Sequence, residues 1–143
     1  MCLTILDATV AEKYKNQIFS WKIFYARGVD QIPVFEYFNL NKRTSVLLDT
    51  MLFAEKNLIE VGTKIGKDYF SYFSGFHTFP RKIDALKWLD KDDLNLYVAK
   101  VEHSYVIDSG YQRLGTEGNY DMLEVLVCSG IRLTTENWIN RFR

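Results

Sequence analysis

At 143 residues the chain has the length of one ordinary domain, and a single globular unit spanning 1–143 is expected. Its 18 basic and 18 acidic residues balance, which argues against coating DNA or RNA through phosphates but leaves room for a small anion held by a few arginines. At 48% hydrophobic residues a core needs no disulfide or metal staple, and no apolar run is long enough to cross a membrane.

Met1 to Leu6 is short and mostly apolar and predicts a buried strand. Asp7-Ala8-Thr9 then caps a brief helix or forms a polar connection before Tyr14. From Ile18 to Ala26, Phe19, Trp21, Ile23 and Tyr25 alternate with Ser20, Lys22, Phe24 and Ala26, the period of a strand. Residues Arg27 to Pro33 read as a turn and Val34 to Asn39 as the returning strand of a hairpin. Residues 40–68 are the least readable: Val46 to Leu58 fits a helix, while Met51-Leu52-Phe53 fits a strand equally well. Gly62 and Gly66 mark a loop without the spacing of a phosphate loop.

Asp68 to Phe79 is aromatic-rich and extended. Thr78 as cap and Pro80 in the first turn predict a helix whose apolar stripe includes Ile83, Ala85, Leu86, Trp88 and Leu89. Leu94 to Val101 alternates as a strand, Glu102-His103 reads as a solvated turn, and Ser104 to Asp108 as a short strand. Ser109 to Tyr120 carries Gly110, Gly115 and Gly118 and reads as a loop. Met122 to Leu133 is a strand broken at Ser129-Gly130, and Thr134 to Ile139 opens a last short helix. Strands do not alternate regularly with helices. The expected class is therefore α+β, a mainly antiparallel sheet with one clear helix and one or two short ones packed on one face.

Reactive residue types are few. The two cysteines, at 2 and 128, form no framework, and a zinc site would need Cys2, His77, His103 and Cys128 to converge, so no metal and no cofactor is expected. Trimming of Met1 would give Cys2 a free α-amine, the pairing an N-terminal nucleophile uses; the alternative is an inert strand residue. His77 has a side chain suited to acid/base work near neutrality, and it precedes the expected helix start, where an anion is favoured. Arg81 and Lys82 oppose the helix dipole there, which calls for an acidic or anionic partner. The alternative for His77 is a half-buried structural ring. Phe76, Arg81, Tyr111, Arg113 and Tyr120 together offer stacking surfaces and guanidinium donors for an adenine-bearing ligand.

Met1-Cys2-Leu3-Thr4, Trp21-Lys22-Ile23-Phe24, Gly75-Phe76-His77-Thr78-Phe79, Asp84-Ala85, Tyr97-Val98-Ala99-Lys100-Val101 and Ser109-Gly110 follow one another over residues 1–110. This order resembles small phage and prophage accessory proteins with a Met-Cys-Leu start and a Gly-Phe-His-x-Phe motif. Residues 40–70 and the part after 110 have no counterpart in that pattern. The resemblance implies a viral protein acting in the cytoplasm of a bacterial host. Proteins of this kind include inhibitors of bacterial defence that sequester or cleave nucleotide signals.

Three readings follow. The first is an oligomeric protein that captures a small nucleotide-derived signal, such as a cyclic nucleotide or an ADP-ribose derivative. The second is an enzyme cleaving such a ligand with His77, and with Cys2 as nucleophile. The third is an inhibitor that docks on a host protein. No pair of catalytic groups stands at recognisable spacing, which favours binding without turnover.

Overall fold

Period-two alternation with aromatic and β-branched residues builds most of the molecule. A computed structural model describes residues 3–27, 30–33, 46–54, 58–62, 69–73, 75–89, 91–116 and 118–143. In chain order the elements are β1 (Ile5–Leu6), α1 (Ala8–Lys13), β2 (Phe19–Arg27), β3 (Asp30–Pro33), β4 (Met51–Phe53), β5 (Leu58–Gly62) and β6 (Tyr69–Phe73). They continue with β7 (Phe76–Thr78), α2 (Lys82–Trp88), β8 (Leu96–His103), β9 (Val106–Thr116), β10 (Asn119–Cys128), β11 (Gly130–Arg132) and α3 (Thr135–Ile139). The expected α+β class holds, and every strand pair among the described residues is antiparallel.

The frame is a long hairpin. β8 and β9 run on from one another, as do β10 and β11, and the two arms pair from Glu102↔Arg132 to Thr116↔Asn119. Both arms bend at the same level. There the Ser104 N–H donates to the Gly130 carbonyl at 2.9 Å and the Ser129 N–H to the Tyr105 carbonyl at 2.8 Å. The bend divides the hairpin between two sheets, β1-β9-β10-β7 and β3-β2-β8-β11-β4, while β5 and β6 pair apart. Phe79, just past β7, exchanges two backbone hydrogen bonds of 2.8 Å with Trp21 of β2. The pairing thus closes a circuit, β2 to β8, across the hairpin to β10, then to β7 and back to β2.

Three apolar clusters follow from this arrangement. Ile23, Leu96 and Val98 of one sheet meet Leu123, Val125 and Val127 of the other, with Ala85 of α2 alongside. Phe24, Ala99, Val101 and Ile131 face away from that core and are covered by Val46, Leu48 and Trp138 of α3. Leu126 and Cys128 face outward from the other sheet, beneath Val10 of α1. α1 and α2 consequently lie on opposite sides of β10 instead of sharing one face. Each fully buried Leu, Val or Phe in these clusters contributes roughly 1.5–3 kcal/mol.

Several elements differ from the sequence reading. Residues 30–33, expected as a turn, already pair with β2, Pro33 lying opposite Phe24. The expected strand 34–39 and the Gly66 loop lie outside the described residues. Of the two readings of Met51–Phe53 the strand is the observed one, paired with β11. α2 begins at Lys82 after Arg81, whose side chain makes no cap, whereas Thr78 lies buried in β7. The segment 109–120 is hairpin and not loop. Gly110 is there because a Cβ would strike the Ile5 carbonyl oxygen of β1. Gly118, at φ +85°, serves the turn.

Candidate functional site

Where the circuit closes, four elements bring polar groups together inside the molecule. Lys22 alternates with Trp21 and Ile23, so it leaves β2 on the side of Phe24 and Ala99, a strand face that is also buried. It is only 1% exposed. Its Nζ donates to the His77 carbonyl at 2.9 Å and stands 5.9 Å from the centre of the Phe76 ring. Burial pulls its pKa down to about 7, and the nearby Cys128 acts in the opposite direction. Burial likewise pushes the Cys128 thiol up to about 12, against a hydrogen bond with Thr78 and the charge of Lys22. A thiol held protonated is no nucleophile.

His77 is 2% exposed, in the strand β7 and five residues before α2 begins, so the helix-dipole argument does not apply to it. Its Nε2 lies 3.4 Å from the Tyr72 hydroxyl, which accepts from the Leu3 N–H at 3.1 Å. Phe76, at 0% exposure, belongs to the core. The acidic partner that Arg81 and Lys82 call for is Asp84 of the same helix, 3.9 Å from the Arg81 guanidinium. Burial raises the Asp84 pKa, and Arg81 opposes the rise.

Strand alternation brings a different set to the surface. Tyr111 faces Glu124 across the β9–β10 ladder, Arg113 faces Met122, and Gly115 faces Tyr120, which puts all of them on the outer side of the sheet. The Arg113 guanidinium stands 5.4 Å from the centre of the Tyr120 ring, and Tyr120 is 51% exposed. At the lower end α1 closes over the same face. Glu124, 9% exposed, accepts from the Tyr14 hydroxyl at 2.7 Å and pairs with Lys13 at 3.2 Å. Desolvation, and then the bond to Glu124, raise the Tyr14 pKa. α1 is positioned by Asp7, whose carboxylate accepts from the Thr9 N–H at 2.9 Å.

A groove of about 510 Å³ runs along the other flank of α1, lined by Ala11, Tyr14, Ile18, His103, Tyr105 and Val106. His103 is not on a solvated turn. It ends β8 as a buried residue, with Nδ1 2.9 Å from the Ser20 hydroxyl, and burial lowers its pKa against a backbone bond to Gln17. Glu102 pairs with Arg132 through the guanidinium Nε at 3.0 Å.

Of the seven residues singled out in the sequence, Tyr111, Arg113 and Tyr120 share one outer face, on strands and not on a loop. Phe76 and His77 lie inside, Arg81 is exposed on another element, and Cys2 lies outside the described residues. Lys22, Lys13, Tyr14 and Glu124 escaped the sequence reading. For Lys22 there was a signal: large apolar residues occupy both alternating sets of β2, the mark of a strand buried on both sides. Among the described residues no three His, Cys, Asp or Glu side chains gather as a metal site, and no helix is long and apolar enough to cross a membrane. Comparison with family models, curated proteins and solved structures finds no match, and the chemistry of the site stands on its own residues.

Proposed function

We propose that this protein binds a small nucleotide-derived anion on the outer face of β9 and β10 and holds it without turnover. The observation that carries the reading is the solvent-facing pair of Arg113 and Tyr120 at 5.4 Å, on the same face as Tyr111. A base stacks on a tyrosine ring, and a guanidinium donates charge-assisted hydrogen bonds to a phosphate. Phe76 and Arg81 have no part in this version of the site.

The enzyme reading loses support from burial. His77, its acid/base, is closed to solvent, and Cys2, its nucleophile, lies outside the described residues. The resemblance to small phage accessory proteins supports a bacterial defence signal as the nucleotide, and capture by sequestration as the role.

Mass spectrometry after incubation with cyclic nucleotides and ADP-ribose derivatives tests this. The expected result is a ligand retained by the folded protein and released chemically intact on heating. Arg113→Ala should weaken retention about ten- to hundredfold, the worth of a charge-assisted hydrogen bond, while His77→Gln retains the ligand. Recovery of a hydrolysis product would restore the enzyme reading. Failure to retain any ligand of the panel would favour docking on a host protein.

A further inference from the structure

Residues 141–143 return along β8 after α3 as a short strap. The Phe142 N–H donates to the Val98 carbonyl at 2.7 Å, and the Val98 N–H to the Phe142 carbonyl at 2.8 Å. Neighbours in an extended segment point to opposite sides. Phe142 therefore packs on the core between the sheets, and Arg141 and Arg143 fall on the side of Tyr97 and Trp138. The Arg141 guanidinium lies 4.6 Å from the Tyr97 ring centre and 4.5 Å from that of Trp138. The Arg143 guanidinium lies 5.7 Å from the same Tyr97 ring.

One arginine on a tryptophan is an ordinary structural contact. Two guanidinium groups against one ring are harder to account for structurally, because they repel each other. Their hydrogen bonds do not neutralise them. Arg141 Nη1 donates to the Trp138 carbonyl at 2.9 Å, and Arg143 Nη2 to the carbonyls of Lys91 and Asp93 at 3.1 and 3.2 Å. The nearby Asp93 carboxylate accepts instead from the Asn95 N–H at 3.0 Å, and that turn carries the cation Lys91 and the carboxylates of Asp92 and Asp93. Among the described residues no carboxylate forms an ion pair with either arginine. Arg141 Nε is buried and makes no hydrogen bond within those residues.

We propose that Arg141 and Arg143, set against Tyr97 and Trp138, form a binding site for a phosphate dianion, free or as a phosphomonoester. A dianion offsets both charges at once, and its oxygens suit forked guanidinium donors better than a single carboxylate does. The site lies on the outer side of the β8 sheet, away from Arg113 and Tyr120, and does not depend on the reading of that face.

The full chain is titrated at low ionic strength with inorganic phosphate and, separately, with adenosine monophosphate. Binding is followed by calorimetry and tryptophan emission, with chloride at matched ionic strength as control. Saturable binding near one phosphate per chain is expected. Arg143→Gln and Arg141→Gln should each weaken it tenfold or more, and Lys87→Gln, which removes an exposed cation on α2, should leave the inorganic phosphate isotherm unchanged. A nucleotide isotherm tighter than that of phosphate, and sensitive to Arg143→Gln, identifies the phosphomonoester as the source. Equal isotherms identify free phosphate. Arg143→Gln removes an exposed side chain, so it keeps the test decisive should Arg141→Gln unfold. The proposal is overturned by absence of saturable binding, by binding undiminished in Arg143→Gln, or by an equal response to chloride.

Discussion

The closure of the strand circuit at Lys22 and His77 and the open face of β9 and β10 contain similar residues and behave oppositely. Each combines tyrosine or phenylalanine with a cation. In the first, the lysine is 1% exposed and donates to a backbone carbonyl; in the second, the arginine lies beside a tyrosine that is 51% exposed. The residue types that make chemistry are present in both places, but a ligand can reach only one. Access, set by which strand face is covered, separates a site from a core.

The sharpest way to break that contrast is Phe76→Ala. If the closure is a structural hub, emptying it should cost about 3–5 kcal/mol, read as a lower urea midpoint. A loss below about 1 kcal/mol would mean that the cluster is loosely packed and the contrast is overstated.

The protonation of the hub provides a second test. The Lys22 pKa falls from 10.5 to about 7 on folding, so between those values the unfolded chain binds the extra proton and stability climbs with pH. The Cys128 pKa rises from 9.0 to about 12, so above pH 9 the folded chain holds a proton the unfolded chain has lost, and the two slopes cancel. Stability should therefore gain about 2–3 kcal/mol from pH 7 to pH 9 and then level off. Urea titrations across that range on wild type and Lys22→Met check it. A climb that survives in Lys22→Met would assign it to another group.

The smallest expected effect belongs to the open face. Tyr120→Ala should change stability by no more than about 0.5 kcal/mol, as for an exposed side chain away from the core. A melting curve shifted well beyond that would show that the face is structural after all.

Much of the frame was legible because alternation marks β2 and β8; of the expected α2 stripe Ala85, Leu86, Trp88 and Leu89 pack on the core, whereas Ile83 is exposed and Asp84 is buried in its place. The turn chemistry was less so. Gly110 reads as a loop residue in the sequence, yet its cause is the close approach of β1, a contact between positions far apart in the chain. The same holds for the candidate site: Tyr111, Arg113 and Tyr120 could be named, but only the register of β9 on β10 puts them on one side. Lys22 shares its alternating set with Phe24, a sign that its face is covered as well, but spacing alone does not distinguish a buried lysine from a solvated one.

The pairing of β2 with β8 has a consequence for how the chain is made. Phe19 to Tyr25 find their partners at Leu96 to Glu102. At a synthesis rate of about 5–20 residues per second, that aromatic segment waits roughly 4–15 s before its partner strand exists. During this interval Phe19, Trp21 and Ile23 have no partner strand to bury them. In that interval only β3 is at hand to pair with the end of β2, since β9 and β10 are made after β8, and the nascent first half of the chain is where a chaperone has most to hold.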